Sequence, residues 1–435
     1  MSPLLIGFLG FMLVLILMAL GMPIAFSMLA VGFLGIYHLA GLDVGLESLA
    51  RIPFYWTTVY IFMCCPLFIL MGFVYARSGL ARELYAVAYK WLGRAPGGLA
   101  LATVASCGMF AAVSGTSTAG AAAMSPIVYP EMKRYNYDKG LAAGTIAAGG
   151  TLGGMIPPSV GFIVFALLTE ASIGQLFMGG IIPGIVEILF YFGAIVILVK
   201  IKPHLAPQAQ ITVSWKEKII CLKDVWPALT LFLIVLGGIY TGLFTPVEAS
   251  AIGAAVAILI TVAMRRLSLR NLVLSVLDSS RVTVMIFMLV MGAMVFNVFL
   301  ALSQLPQALS EILGGVGSPG AVVAIILLMY LPMGAFMDTT GMYILTIPLY
   351  LPTLIANDIN LIWFGILALR CMEIALISPP IGMNVFIVTG IVKDISVEKA
   401  FRGIVPFLIA DLFILATLAL FPQLTLFLPE LMRKF

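Results

Sequence analysis

Apolar residues fill long blocks of the chain, and most charged residues lie in the short connections between them. No Asp, Glu, Lys or Arg precedes Asp43, and further charge-free runs extend over 95–130, 140–169, 225–247 and 282–310. A helix crosses a bilayer with about 20 such residues, so the pattern predicts crossings at 4–20, 23–40, 55–76, 181–200, 226–243, 246–264, 282–302 and 404–426. Residues 81–93 read as a basic amphipathic helix lying on the membrane surface. The run 96–130 is flanked by basic residues at both ends and must leave and return to one side, which makes it a re-entrant hairpin. Residues 320–352 read the same way, and the runs 140–170 and 361–391 are helices interrupted by Pro157-Pro158 and Pro379-Pro380.

Laid against itself, the chain repeats. Pro157-Pro158 recurs as Pro379-Pro380, Pro126-x-x-x-Pro130 as Pro348-x-x-x-Pro352, and Thr116-Ser117-Thr118 falls opposite Asp338-Thr339-Thr340, all at an offset of 222 residues. Pro23-Ile-Ala-Phe-Ser27 and Gly180-Ile-Ile-Pro183 return as Pro246-Val-Glu-Ala-Ser250 and Gly403-Ile-Val-Pro406 at 223. A single shift accounts for every match, and such internal repeats characterise transporter folds.

Loop charges set the relative orientation of the halves, because basic residues mark the cytoplasmic side of each short loop. Arg77, Arg82, Lys90 and Arg94 answer a stretch, 304–317, with only Glu311. Arg265, Arg266, Arg270 and Arg281 answer Asp43, Glu47 and a lone Arg51. Lys133, Arg134 and Lys139 face Asp358, and Lys393, Lys399 and Arg402 face an uncharged 171–180. The bias alternates in register, so equivalent loops lie on opposite sides. The predicted fold is therefore an all-α polytopic membrane protein of two inverted-topology repeats, each with five crossings (one of them broken) and a re-entrant hairpin. The halves are 1–200 and 225–435, joined by a cytoplasmic linker, 201–224.

Composition narrows the function. In 435 residues, 62% are hydrophobic and 10% charged, with a mean hydropathy of +1.16. No stretch is left over for a soluble catalytic or nucleotide-binding domain of roughly 100 residues or more. The net charge of +4 is scattered over loops and gives no footprint for nucleic acid. Cys64, Cys65, Cys107, Cys221 and Cys371 form no CxxC pair, against a zinc site or a disulfide framework. Met1-Ser2-Pro3 lacks the basic region and cleavage site of a signal peptide, so the first span is expected to be retained.

Proline pairs in mid-span leave backbone groups unpaired at membrane depth, tolerable only where protein, an ion or a polar ligand satisfies them. One such site is a kinked packing helix, with small residues letting neighbours approach. Two in symmetric positions, each following a hydroxyl-rich hairpin tip, favour a binding site at the repeat interface. The donors there are Ser and Thr oxygens, carbonyls and the Asp338 carboxylate, without a His or Cys cluster. That set suits a hard cation, sodium before any transition metal. Asp338 is the lone charge between 312 and 357, and an intramembrane acid is expected to be functional. Arg370 and Glu373, three residues apart, have the spacing to neutralise each other. The roles of Glu187, Glu248 and Asp411 are left open; His38 and His204, near a span end and in the linker, lie too far away for a proton relay.

At these residues the sequence resembles the large membrane subunit, DctM type, of tripartite ATP-independent periplasmic (TRAP) transporters. The motifs are Ser114-Gly-Thr-Ser-Thr-Ala-Gly120, Gly153-Gly-Met-Ile-Pro-Pro-Ser159, Gly334-Ala-Phe-Met-Asp-Thr-Thr-Gly341 and Ile377-Ser-Pro-Pro-Ile-Gly-Met-Asn384. The resemblance implies an ion-transporter superfamily fold of elevator type, in which hairpins and broken helices move against the outer helices. It implies sodium-coupled import of a small organic acid, a dicarboxylate, sugar acid or keto acid. A periplasmic substrate-binding protein and a small four-helix membrane subunit are the implied partners, in a bacterial inner membrane. Substrate and ion ligands are then expected among Ser114, Gly115, Thr116, Ser117, Thr118, Gly120, Gly153, Pro157, Pro158, Ser159, Asp338, Thr339, Thr340, Gly341, Ser378, Pro379, Pro380 and Asn384. Sodium is expected at Ser117, Thr118, Asp338, Thr339 and Thr340, and no cofactor is expected beyond the coupling ions.

Two other classes compete. No GxxxxGK[ST] loop is present, so ATP does not drive the chain itself. An intramembrane hydrolase needs a serine with a positioned base or two neighbouring acids, and neither pattern accompanies Ser117 or Asp338; the chain is expected not to be an enzyme. A stand-alone sodium/dicarboxylate symporter or antiporter of the same fold has the same hydropathy and differs only in needing no binding protein.

Overall fold

A computed structural model describes residues 2–208, 213–334 and 337–432. Among the described residues the chain is α-helical, with three short 3-10 turns and no strand. The first half comprises α1 (Pro3–Ala19), α2 (Ile24–Ala40), α3 (Leu42–Thr58), α4 (Cys64–Arg77), α5 (Leu80–Leu92), α6 (Gly98–Ser114), α7 (Ser117–Arg134), α8 (Lys139–Met155), α9 (Val160–Thr169) and α10 (Ile173–Ile201). A short α11 (Trp215–Cys221) follows in the linker. The second half comprises α12 (Trp226–Tyr240), α13 (Pro246–Ala263), α14 (Leu269–Ser303), α15 (Leu305–Gly314), α16 (Pro319–Met333), α17 (Thr339–Ala356), α18 (Leu361–Ala375), α19 (Met383–Ile391), α20 (Val397–Leu420) and α21 (Gln423–Met432). Among the described residues, seven helices, eight if the bent pair α8/α9 is one span, are long and apolar enough to cross a membrane. The protein is a multi-pass membrane protein.

The hairpin arms match at the offset read from the prolines: α7 begins at Ser117 and α17 at Thr339, and both run 18 residues. Caps recur with the same spacing. Asp138 accepts hydrogen bonds from the Gly140 and Leu141 amides at 2.8 and 3.0 Å, and Asn360 from those of Ile362 and Trp363 at 2.9 and 3.2 Å. A side-chain acceptor at this position satisfies amides that have no partner within the helix, so both broken helices start at fixed points.

Three segments depart from the sequence reading. Residues 42–58, expected to be mostly a loop before a crossing at 55–76, form the amphipathic helix α3, and the apolar span is confined to Tyr60–Arg77. Residues 304–317, expected to be a plain connection, contain the amphipathic α15, the counterpart of α5. The crossing expected at 282–302 is the second part of a continuous 35-residue helix, α14. Where the first half breaks at Tyr60–Met63 into a 3-10 turn, its counterpart runs through.

The core lies on α8, which is buried from Gly140 to Met155. Its small side chains permit backbone contact with α20: a Cβ on Gly403 would lie 1.9 Å from the Gly140 carbonyl oxygen, and one on Gly144 would lie 2.3 Å from that of Gly403. These glycines let α8 and α20 approach closely, as small residues do between membrane helices generally.

Candidate functional site

Each hairpin turns in a few residues. At the first tip α6 ends on Gly115, whose φ of +70° is a left-handed conformation that glycine adopts without strain. Thr116 then takes extended angles and α7 starts at Ser117, with no side chain capping its first amides. The Gly115 carbonyl accepts from the Val160 amide at 3.0 Å, which joins this tip to the break between α8 and α9. At the second tip Asp338 caps α17, its Oδ1 accepting from the Gly341 amide at 3.0 Å. Ala335 and Phe336, in the motif that ends at Gly341, lie outside the described residues.

The breaks differ in surroundings. Residues 151–160 are buried throughout, and the Ser159 hydroxyl has no hydrogen-bond partner. The helix axes of α8 and α9 meet at 40°. Between α18 and α19, Pro379 and Pro380 are exposed. Ser378 Oγ donates to the Ile374 carbonyl at 2.7 Å, while Asn384 is buried with its amide nitrogen on the Ala147 carbonyl at 3.4 Å and its Oδ1 unpartnered. Both proline pairs contain a cis peptide bond.

A cavity of about 1010 Å³ draws these parts together. Ser114, Gly115, Thr116, Ser117 and Thr118 line it from the first tip and Asp338, Thr339 and Thr340 from the second. Gly154, Val160 and Gly161 border it from one broken helix and Glu373, Leu376 and Ile387 from the other. Ile69, Gly72 and Phe73 of α4 and Val282, Met285 and Ile286 of α14 close the opposite wall. The remaining sequence candidates, Gly120, Gly153, Pro157, Pro158, Ser159, Gly341, Ser378, Pro379, Pro380 and Asn384, are not among the lining residues. Gly153 nonetheless adjoins the first tip, since a Cβ there would be 2.5 Å from the Thr116 carbonyl oxygen.

Sequence reasoning did not name Glu373 or the rim as site residues. Arg77, Arg82, Glu83 and Arg266 line the cavity; Arg77 pairs with Asp278 and Arg266 with Glu83. Glu373 is wholly buried and accepts a 2.6 Å hydrogen bond from Ser117 Oγ, joining the second half's broken helix to the first half's tip. The 222-residue offset places Thr151, also buried, opposite it, and a polar residue at both positions was the available signal. Arg370, whose spacing allows a pair with Glu373, is engaged elsewhere. Its guanidinium lies 2.5 Å from Glu187 Oε1, pairs with Asp411, and donates to the Tyr191 hydroxyl at 3.0 Å. Thr151 donates to Glu187 at 2.8 Å. The acids of α10 and α20 thus converge on one arginine of α18. Glu248 is accounted for differently: it closes a capping box with Thr245 at the start of α13.

Hydroxyl oxygens, one half-buried carboxylate and one buried carboxylate bordering a largely apolar cavity are ligands of the kind that suit a monovalent cation. Among the described residues no group of three or more His, Cys, Asp or Glu is placed to hold a metal ion.

In comparison with known proteins, the chain is 32% identical to the C4-dicarboxylate TRAP transporter large permease protein DctM of Vibrio cholerae, over 97% of each sequence. It is 28% identical to that organism's sialic acid TRAP transporter large permease protein SiaM, covering 94% of this chain and 95% of the relative. The crystal structure of the Alcanivorax borkumensis YdaH transporter, described as having an unusual topology, superimposes with a TM-score of 0.62 at 15% identity, over 88% of this chain and 89% of that one; the fold is shared. The family model described as the DctM component of the tripartite ATP-independent periplasmic transporter matches residues 11–424, and the chain belongs to that family.

Proposed function

We propose that the chain is the large permease of a sodium-coupled secondary transporter in a bacterial inner membrane, importing a small organic acid handed over by a periplasmic binding protein with the help of a small membrane subunit. One observation supports this above the others: both hairpin tips and both broken helices, from the two halves of the repeat, border a single cavity. In transporters built of two such halves, substrate and coupling ion meet at the repeat interface, where ends of half-helices face the ligands. The uncapped start of α7 presents amides and a positive helix end to an anion. Ser117 and Thr118 at one tip and Asp338, Thr339 and Thr340 at the other offer oxygen ligands for co-transported sodium. Arg77 and Arg266 at the rim are paired with Asp278 and Glu83, which leaves Arg82 to add positive potential there for a carboxylate. Relatives named for C4-dicarboxylate and sialic acid both handle carboxylates, and the substrate class is drawn from them.

In this reading the halves have opposite orientations in the membrane, 1–200 and 225–435 about the linker 201–224. The hairpins and broken helices move as one body along α4 and α14. Reconstitution into liposomes tests the proposal. Accumulation of the organic acid is expected only with a sodium gradient, the binding protein and the small subunit together. Uptake by the chain without a binding protein would make it a stand-alone symporter, and uptake driven by a proton gradient without sodium would overturn the ion assignment.

A further inference from the structure

Glu373 is an acid without an explained counter-charge. Its side chain is wholly buried and borders the cavity. Oε2 accepts from Ser117, while Oε1 has no hydrogen-bond partner. The guanidinium one helical turn away, Arg370, is already shared by Glu187 and Asp411, so one buried cation faces three buried carboxylates. The rim cations give no relief: Arg77 and Arg266 are paired with Asp278 and Glu83, and Arg82 is exposed. A carboxylate held away from water with one donor and no cation is strongly unfavourable. Another unpartnered hydroxyl, that of Ser114, sits at the same tip.

We propose that Glu373 supplies the negative charge of a monovalent-cation site at the first hairpin tip, with Ser117 and Ser114 as neighbouring oxygen donors. The inference rests on the sodium reading above and extends it, because the anionic ligand of the first half's tip then comes from the second half's broken helix. A cation at this place neutralises Glu373 and ties tip and broken helix together. Its departure leaves like charges unbalanced in the core. The single carboxylate suits a singly charged ion with hydroxyl and carbonyl ligands.

The test uses the purified full chain in lipid nanodiscs and reads binding instead of transport: equilibrium binding of radioactive sodium, and the thermal midpoint titrated with sodium chloride against choline chloride. E373Q keeps the shape of the side chain and an acceptor for Ser117. It is expected to bind fewer sodium ions per chain than wild type and to lose at least about tenfold in sodium affinity, the equivalent of about 1.4 kcal/mol, with a midpoint in choline at or above that of wild type. S117A, which leaves all the charges in place, is expected to weaken sodium binding less, and it serves as the readout should E373Q fail to fold. Sodium binding by wild type matched in number and affinity by E373Q, or by S117A where E373Q does not fold, would overturn the role of Glu373 and leave the sodium reading intact. Absence of sodium binding by wild type would overturn both.

Discussion

The two proline breaks are written almost alike, Ile156-Pro-Pro-Ser159 and Ser378-Pro-Pro-Ile381, and are housed in opposite ways. The first is buried on all sides and stitched to its hairpin tip through Val160 and Gly115. At the second, both prolines and Ile381, 38% exposed, face outward. The difference teaches that a duplicated motif need not give a symmetric site. The first break sits inside packed protein; the second lies at its edge, and the charges that matter, Arg370 and Glu373, sit on the helix leading into it.

The largest effect is expected from removing the charge on which the two halves converge. Arg370→Leu strands Glu187 and Asp411, and losing one partner of a buried ion cluster costs about 3–5 kcal/mol. The thermal midpoint should fall sharply, and the triple variant R370L/E187Q/D411N should recover much of the loss. A midpoint for R370L equal to wild type would show that the acids find other partners.

Next, Gly154→Ala places a Cβ 2.0 Å from Glu373 Oε1 and 3.0 Å from Ser117 Oγ. Displacing groups at a binding site by an ångström lowers rates by about 100-fold, and uptake should fall on that scale. A Cβ added at Gly390, near the end of the second broken helix, would meet nothing within 4 Å, so Gly390→Ala should transport normally. Equal behaviour of the two variants would erase the asymmetry between the breaks.

Much of this was legible in the sequence. The prolines and the tip hydroxyls fixed the repeat, the hairpins and the segments that share a cavity, because both report on local backbone requirements. The pairing of Arg370 was not legible. Its partners come from α10 and α20, 183 residues upstream in one case and 41 downstream in the other, and the nearby Glu373 offered an easier match. The helix α3 was missed because Asp43, Glu47 and Arg51 break the apolar run in sequence and imitate a loop, whereas at four-residue spacing they form its polar face; Arg51 and Glu47 pair at 2.7 Å along one helical turn. Nor does a Pro-Pro pair disclose whether its surroundings are buried.

A finer comparison concerns Ser159 and Ser378. Ser159→Ala removes a buried hydroxyl that has no partner, so the midpoint in choline should stay level or rise slightly, with the sodium response kept. Ser378→Ala deletes a bond to the Ile374 carbonyl and should cost about 0.5–1.5 kcal/mol without touching the sodium response. A sodium response lost at Ser378 would move the ligand to the exposed break.

The smallest effect belongs to the loop after α19. Lys133 donates to Asp394 at 2.7 Å and holds its carboxyl at about 2, below the ordinary carboxylate range, with Lys139 3.6 Å away. A depressed carboxylate contributes stability above its unfolded value of about 3.9 and loses it as pH falls toward the folded value. The midpoint of wild type should therefore decline slightly more than that of Asp394→Asn between about pH 4 and pH 2. The equivalent connection after α9 has only Ala171 and Ser172 between Glu170 and α10, so this tether belongs to one half alone.

The unbroken length of α14 has a mechanical consequence. Thirty-five residues at 1.5 Å each make a rod of about 52 Å, against a hydrocarbon layer of about 30 Å. Such a rod must tilt or project well beyond the lipid, and the surplus lies toward its first turns, where Arg270, Asp278 and Arg281 are found. Val282, Met285 and Ile286, which face the cavity, follow directly after this charged section. The helix thus works as a fixed gauge, marking along one continuous axis where water-facing chemistry ends and greasy wall begins. Sliding the hairpins by even one helical turn along that gauge would trade charged neighbours for apolar ones.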